Sequence, residues 1–140
     1  MGGDEAYNFL DGFSKYNQVS IDPKDQHKMA FVSKWGIFAY KVMPFGLTNA
    51  PTTFQILMCH ICREFLRQFL EVYVDDLCVY SRKRADHFDQ LKLIFEKCHL
   101  YRLCLNPDKC VFMVWQGKIL GHIVSKNGIF IDKDKIKVIL

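Results

Sequence analysis

The amino-acid sequence predicts an α+β fold in which helices cover one face of an antiparallel sheet. Short apolar runs rich in aromatic and β-branched residues occur in pairs around turn residues, which is typical of β-hairpins. Two longer segments carry apolar residues at helical spacing. The order along the chain is strand, hairpin, helix, hairpin, helix and short strands, an order that favours a layered α+β arrangement.

Length and composition limit the classes of protein to consider. The chain has 140 residues, half of them hydrophobic, so we expect one domain, or part of one, with a sizeable core. A net charge of +4 permits a nucleic-acid partner without identifying one. No apolar run approaches the ~20 residues of a membrane span, so we expect no membrane partner. The N-terminus lacks a secretion signal, so we expect the protein not to be secreted.

The first half of the chain predicts a strand, a hairpin and a helix. Tyr7–Asp11 is a short apolar run that ends in a carboxylate, and runs at 29–33 and 37–42 flank a turn in which Gly36 suits a positive φ. Asn49 is placed to cap a helix with a proline in its first turn. The predicted buried face of that helix consists of Phe54, Leu57, Met58, Ile61, Phe65 and Phe69.

The second half predicts another hairpin, a second helix and short strands. Two adjacent carboxylates separate strand-like runs at 69–74 and 77–80. A helix is then expected to start at Ser81 or Asp86. Its predicted apolar stripe is Phe88, Leu91, Phe95 and Cys98. After a turn at 106–108, strands are expected at 118–124 and 128–131, joined through Asn127-Gly128, and Asp132 is placed to cap a last helix.

Three carboxylates carry the chemical interpretation. Asp11 ends the first strand, and Asp75 and Asp76 occupy the tip of the second hairpin. If these strands are neighbours, the carboxylates converge at one end of the sheet. Two interpretations remain open: a solvated turn, or a site for two divalent cations about 3.5–4 Å apart that performs phosphoryl transfer.

Five sequence blocks resemble the palm of a reverse transcriptase, an RNA-directed DNA polymerase, of the gypsy-type LTR retrotransposons. In chain order they are Phe9–Gln18, Val42–Gln55, Tyr73–Asp76, Leu105–Cys110 and Leu120–His122. The resemblance covers nearly the whole chain. It implies one partial palm domain at 1–140, with incomplete fingers and a truncated thumb. The short length also resembles the reverse transcriptase homologue encoded in plant mitochondria, which implies a mitochondrial location.

The resemblance implies a role for individual residues. Asp11, Asp75 and Asp76 would hold two Mg²⁺ ions, which Mn²⁺ can replace. Side chains and backbone around the incoming deoxynucleotide would come from Tyr16, Phe45, Gly46, Gln55 and Lys109. The primer end would contact Tyr73, Val74, Leu120 and Gly121. Partners would be a template–primer of RNA or DNA and deoxynucleoside triphosphates.

Each of these residues also has an ordinary structural interpretation. Tyr16 is equally a core tyrosine, Gln55 a solvated helix residue and Lys109 a surface lysine. Lys15 departs from the resemblance, since relatives usually carry glycine or another small residue there; a cation at that position either helps to bind a triphosphate or blocks it. The alternative to a polymerase is a catalytically inactive retroelement remnant with at most weak nucleic-acid binding.

Overall fold

A four-stranded antiparallel sheet forms the centre of the computed structural model, which describes residues 2–132. Its strands are β1 (Ala6–Asp11), β4 (Leu70–Tyr73), β5 (Asp76–Ser81) and β6 (Val111–Val114), in the spatial order β4-β5-β1-β6. The first strand, β1, and the hairpin formed by β4 and β5 agree with the sequence prediction. Strand β6 was not predicted, because its residues show no clear alternation of apolar and polar side chains.

Two helices cover one face of this sheet, which confirms the predicted fold class. They are α1 (Ala50–Ile61) and α2 (Arg84–Leu100). Side chains from both helices share one core with alternate residues of the sheet. The main contributors are Leu10, Leu77 and Val79 from the sheet, Phe54 and Met58 from α1, and Leu91 and Ile94 from α2. Burial of this apolar surface is the main stabilising contribution to the layered structure.

The opposite face packs against a small three-stranded sheet. Its strands are β7 (Gln116–Ile119), β8 (His122–Ser125) and β9 (Gly128–Ile131). A second core forms here from Tyr7, Cys78 and Tyr80 of the large sheet and Val124 of β8. Because side chains alternate between faces along a strand, Asp11 lies on the same face as Tyr7, away from the helices.

The hairpin predicted between the first strand and the first helix is present. It consists of β2 (Ala30–Ser33) and β3 (Gly36–Ala39), paired from Ala30 with Ala39 to Ser33 with Gly36. Gly36 has a φ of 131°, as its turn position requires. Phe31 stacks on Phe38 across the two strands with ring centroids 6.1 Å apart, yet both rings remain exposed.

The first helix is shorter than its apolar pattern indicated. Asn49 occupies the position before α1, as predicted, but its side chain makes no capping hydrogen bond. The helix ends at Ile61, so Phe65 and Phe69 lie beyond it in a turn where Arg67 has a φ of 63°. Both phenylalanines still pack against the helix-side core, which explains why their spacing imitated a longer helix.

The predicted apolar stripe of the second helix was partly wrong. The helix begins at Arg84, and its buried residues are His87, Leu91, Ile94 and Cys98. Phe88 and Phe95 are 69% and 38% exposed. The buried face therefore includes a polar residue, and the Ser81 hydroxyl oxygen lies 2.5 Å from Nδ1 of His87, while Nε2 has no hydrogen-bond partner among the described residues.

The strand predicted at 118–124 is two strands. Leu120 and Gly121 have φ values of 51° and 76°, so the chain reverses there and β7 pairs with β8. The predicted link through Asn127-Gly128 between β8 and β9 is confirmed. The last helix predicted after Asp132 lies outside the described residues. Within residues 2–132, no helix has the length and apolarity needed to cross a membrane.

Candidate metal centre and nucleotide cleft

Three carboxylates meet at one end of the large sheet. Strands β1 and β5 pair antiparallel in the register that sets Asp11 opposite Asp76, and Asp75 occupies the turn just before Asp76. One carboxylate oxygen from each residue lies within 4.8 Å of the others. The convergence predicted for Asp11, Asp75 and Asp76 is therefore present.

The turn that carries Asp75 is held from two sides. Val74 has a φ of 53°, and its N–H donates to Oε1 of Gln55 on α1. The Gln55 amide also donates from Nε2 to the carbonyl of Val72 at 3.1 Å. On the other side, the N–H of Gly12 donates to the carbonyl of Asp75 at 3.3 Å. These bonds tie the turn to α1 and to the end of β1, so Gln55 positions the turn rather than lying free in solvent.

Two lysines approach the cluster in different ways. The Lys15 ammonium contacts Oδ2 of Asp75 directly, whereas Nζ of Lys109 is 3.7 Å from Oδ2 of Asp11, beyond hydrogen-bond distance. The hydrogen bond to Asp75 raises the pKa of Lys15 above its ordinary value. Partial burial of the carboxyl raises the pKa of Asp76, and the charges of Asp75 and Asp11 raise it further.

One oxygen of the cluster has no hydrogen-bond partner. Oδ2 of Asp11 is buried, and no donor among the described residues satisfies it. A buried carboxylate oxygen without a donor costs stability unless a cation compensates it. Carboxylate oxygens are the ligands that Mg²⁺ and Mn²⁺ prefer. The donor set and the unsatisfied oxygen therefore fit a divalent cation.

The two aromatic side chains predicted for the nucleotide pocket, Tyr16 and Phe45, contact each other. Tyr16 belongs to a short 3-10 helix, Lys15–Gln18, and its ring meets those of Phe45 and Phe54 edge to face at centroid distances of 5.5 and 5.9 Å. Tyr16 packs against the helix-side core, while Phe45 is 61% exposed. Gly46, next to Phe45, has a φ of 97°, which few other residues adopt.

The Gln18 side chain and a backbone hydrogen bond from Asn106 attach the segment at 104–110 to the end of β1 and the residues that follow it. Gln18 accepts a hydrogen bond from the N–H of Cys104 at 2.6 Å and donates to the carbonyls of Cys104 and Phe13. The N–H of Asn106 donates to the carbonyl of Asp11 at 2.8 Å. This attachment brings Lys109 towards Asp11. Sequence reasoning missed the role of Gln18, because nothing local marks a glutamine that bonds to backbone 86 residues away.

Of the four residues predicted at the primer end, Tyr73 and Leu120 line two neighbouring cavities, whereas Val74 and Gly121 line neither. One, of about 330 Å³, lies between Asp11, Asp76, Lys109 and the turn at Leu120. The other, of about 390 Å³, is lined by Tyr73 and Leu120 among others. Leu120 therefore lies between the carboxylates and Tyr73. The binding roles of all these residues stay predictions.

Comparison with known proteins identifies a single class. The family model described as reverse transcriptase (RNA-dependent DNA polymerase) matches residues 1–124. A retrovirus-related Pol polyprotein from transposon 297 of Drosophila melanogaster is 36% identical over 140 residues, which is all of this chain and 13% of that protein. The transposon Tf2-3 polyprotein of Schizosaccharomyces pombe is 30% identical over 138 residues, 99% of this chain and 10% of that protein. The chain thus spans a small part of these relatives.

Solved structures show the same fold. A foamy viral protease-reverse transcriptase in complex with an RNA/DNA hybrid superposes with a TM-score of 0.85 at 19% identity, covering all of this chain and 19% of that one. At this identity the likeness is evidence for the fold alone. It confirms the predicted palm architecture, an antiparallel sheet with helices packed on one face.

Proposed function

Because the chain belongs to the reverse transcriptase (RNA-dependent DNA polymerase) family, we propose that it supplies the catalytic centre of an RNA-directed DNA polymerase. The observation that carries the proposal is the convergence of Asp11, Asp75 and Asp76 within 4.8 Å. In this proposal the chain transfers nucleotides from deoxynucleoside triphosphates to the 3′-hydroxyl of a primer paired with an RNA or DNA template. The foamy viral protein of similar fold, described in complex with an RNA/DNA hybrid, supports that class of partner.

Asp11 and Asp75 are the principal ligands for two Mg²⁺ ions in this proposal, and Asp76 is the third carboxylate. When bound, the two ions would activate the primer 3′-hydroxyl and neutralise charge on the departing pyrophosphate. Mn²⁺ is expected to substitute, because it accepts the same oxygen ligands. Oδ2 of Asp11 is buried and accepts no hydrogen bond from the described residues, with only the Lys109 ammonium at 3.7 Å, and this supports the assignment because a bound cation would satisfy it.

The remaining predicted residues act by binding and orientation. Tyr16, supported by Phe45 and Phe54, forms a wall that excludes a ribose 2′-hydroxyl by steric contact. Lys109, which lies near Asp11, donates a proton from Nζ to the departing pyrophosphate. Tyr73 and Leu120 hold the primer end. Gln55 acts indirectly, because its amide is bonded to the turn that carries Asp75.

Primer extension on an RNA template tests the proposal. We expect extension by the wild type with Mg²⁺ or Mn²⁺, and a loss of at least ~10²-fold in Asp75→Asn, the scale on which misplaced reacting groups lose rate. Asp89→Asn is the matched control, since it makes the same chemical change on an exposed part of α2. Extension that persists in Asp75→Asn would contradict the assignment. Absence of both extension and metal-dependent thermal stabilisation would favour the alternative, an inactive retroelement remnant.

We also propose a gypsy-type origin and a mitochondrial location in a plant. The five ordered sequence blocks support the first, and the second rests on the resemblance to the plant mitochondrial homologue alone. Mass spectrometry of purified mitochondria, compared with the remaining cell fractions, tests the location. Peptides of this chain found only outside mitochondria would refute it.

A further inference from the structure

Lys15 lies where a cation ligated by Asp75 would have to bind. Its ammonium contacts Oδ2 of Asp75, a side chain that is only 13% exposed. The Lys15 backbone has a φ of 43°, in the left-handed region that glycine adopts readily and other residues seldom do. Ser14 before it has a φ of 54°, so two consecutive residues bend the chain to bring Lys15 over the carboxylates.

The geometry points to Lys15 as a tethered counter-cation that competes with the divalent ion at Asp75. This inference rests on the proposed function, because it concerns the same metal centre. An ammonium group and a metal ion cannot use the same carboxylate oxygen at once, and their like charges repel at a few ångströms. The ion therefore binds only when the Lys15 side chain withdraws, and Lys15 determines how much metal the site requires.

Two properties suit Lys15 to this competition. Its side chain is 34% exposed, so the ammonium can move into solvent without disrupting the core. The fold keeps its ammonium next to Asp75, so it competes there without having to bind from solution. Lys109 does not compete in the same way, because its Nζ remains 3.7 Å from Asp11.

Titration with Mn²⁺, followed by the electron paramagnetic resonance signal of the free ion, measures metal affinity without requiring polymerisation. The test compares the wild type with Lys15→Met, which removes the charge, and Lys15→Arg, which keeps it. Lys15→Gly is a second neutral variant that suits the backbone conformation. Lys126→Met is the charge-matched control, since Lys126 pairs with Glu5 at 3.0 Å at the opposite end of β1 from Asp11.

We expect Lys15→Met and Lys15→Gly to lower the Kd for Mn²⁺ about fivefold, the upper range for a partly exposed ion pair. Lys15→Arg and Lys126→Met should stay within about twofold of the wild type. In an Asp75→Asn background, Lys15→Met should no longer increase the affinity for Mn²⁺. Circular dichroism melts establish that each variant is folded at the titration temperature.

The outcomes separate this inference from the function on which it rests. Mn²⁺ binding that depends on Asp75 but is equal in the wild type and both neutral Lys15 variants overturns the inference and leaves the metal centre in place. An equal gain from Lys126→Met also overturns it, because general electrostatics would then explain the effect. If no variant shows Mn²⁺ binding that depends on Asp75, both the Lys15 inference and the proposed metal centre are overturned.

Discussion

Gly117→Ala is expected to destabilise the protein, because the structure leaves no room for a methyl group at that position. A Cβ added to Gly117 would lie 1.9 Å from Cε2 of Phe9, far inside the 3.4–4 Å of an ordinary contact, and 2.5 and 2.6 Å from two further ring atoms. Gly117 belongs to β7 and pairs with Val124, and Phe9 belongs to β1. The substitution therefore separates the small sheet from the face of the large sheet that carries Asp11.

Two opposing effects set the change in the free energy of unfolding expected for Gly117→Ala. Gly117 does not have a left-handed φ, so alanine alone would stabilise the chain by ~0.4–1 kcal/mol through the unfolded state. The destabilisation caused by the overlap is larger than this gain, because the Phe9 ring is stacked on Tyr7 with ring centroids 6.2 Å apart and cannot move without disturbing the second core. Overpacking of this kind costs ~1–3 kcal/mol. The net loss should be about 1–2 kcal/mol, or roughly 3–10 °C in Tm for a domain of this size.

Thermal and urea denaturation of four variants test this expectation. Gly12→Ala is the control, because the nearest atoms to its added Cβ are 3.8 Å away, so it should be neutral or slightly stabilised. Phe9→Leu should cost less in the Gly117→Ala background than in the wild type, since the smaller side chain relieves the overlap. If Gly117→Ala is as stable as Gly12→Ala, or if the two effects simply add, the close contact between Phe9 and Gly117 is refuted.

Two further substitutions test the site. Gln55→Ala removes the bonds that hold the turn at Val74, which should cost ~1–3 kcal/mol in urea denaturation and speed exchange of the Val74 amide proton; an unchanged exchange rate would show that Gln55 does not hold the turn. Asp76→Asn should stabilise the metal-free protein at pH 7 by less than ~1 kcal/mol, because the raised pKa means that the folded state holds the Asp76 proton more tightly than the unfolded state does. In the wild type, the proton held by Asp76 stabilises the folded state. This contribution is complete below the ordinary pKa of 3.8 and is lost as pH rises through the raised pKa of Asp76, so the gap in Tm between the wild type and Asp76→Asn should open over that range. A gap in Tm that does not vary with pH would contradict this.

The predictions that were confirmed depend on local signals. A two-residue turn at Lys34-Trp35 followed by Gly36 specifies a hairpin through the φ that glycine permits. The run from Tyr7 to Asp11 is recognisable as a strand from its residue types alone. The positions of Asp75 and Asp76 at a hairpin tip follow from the apolar runs on either side.

The predictions that failed depend on partners that are distant in the chain. Phe88 and Phe95 fit a helical stripe, yet His87 and Ile94 are buried instead, and the Ser81 hydroxyl contacts Nδ1 of His87 inside the protein. The stripe with Phe88 and Phe95 and the stripe with His87 and Ile94 differ by one position along the helix, and helical spacing alone does not distinguish them. Phe65 has helical spacing but packs on the core from a turn.

In the candidate site, too, the sequence identified residues, whereas their contacts depend on the fold. The sequence blocks named Asp11, Asp75 and Asp76 and drew attention to Lys15. The contacts of these residues needed the fold: Lys15 with Asp75, Gln55 with the turn, and Gln18 with the backbone of Cys104. Each is a contact whose partner lies outside the block that contains the residue, so no motif records it.

The sequence by itself determined strand β1, the hairpins β2–β3 and β4–β5 and the identity of the carboxylates, because residue type and spacing act over a few neighbouring positions. The tertiary structure decided the register. Pairing of Asp11 with Asp76 places both carboxylates on the face opposite the helices, beside the cleft at Leu120. A slip of one residue would turn Asp11 towards the helix-side core, because side chains alternate between the two faces of a strand. The burial of Leu10 and Leu77 against α1 and α2 prevents that slip, and thereby assembles the cluster.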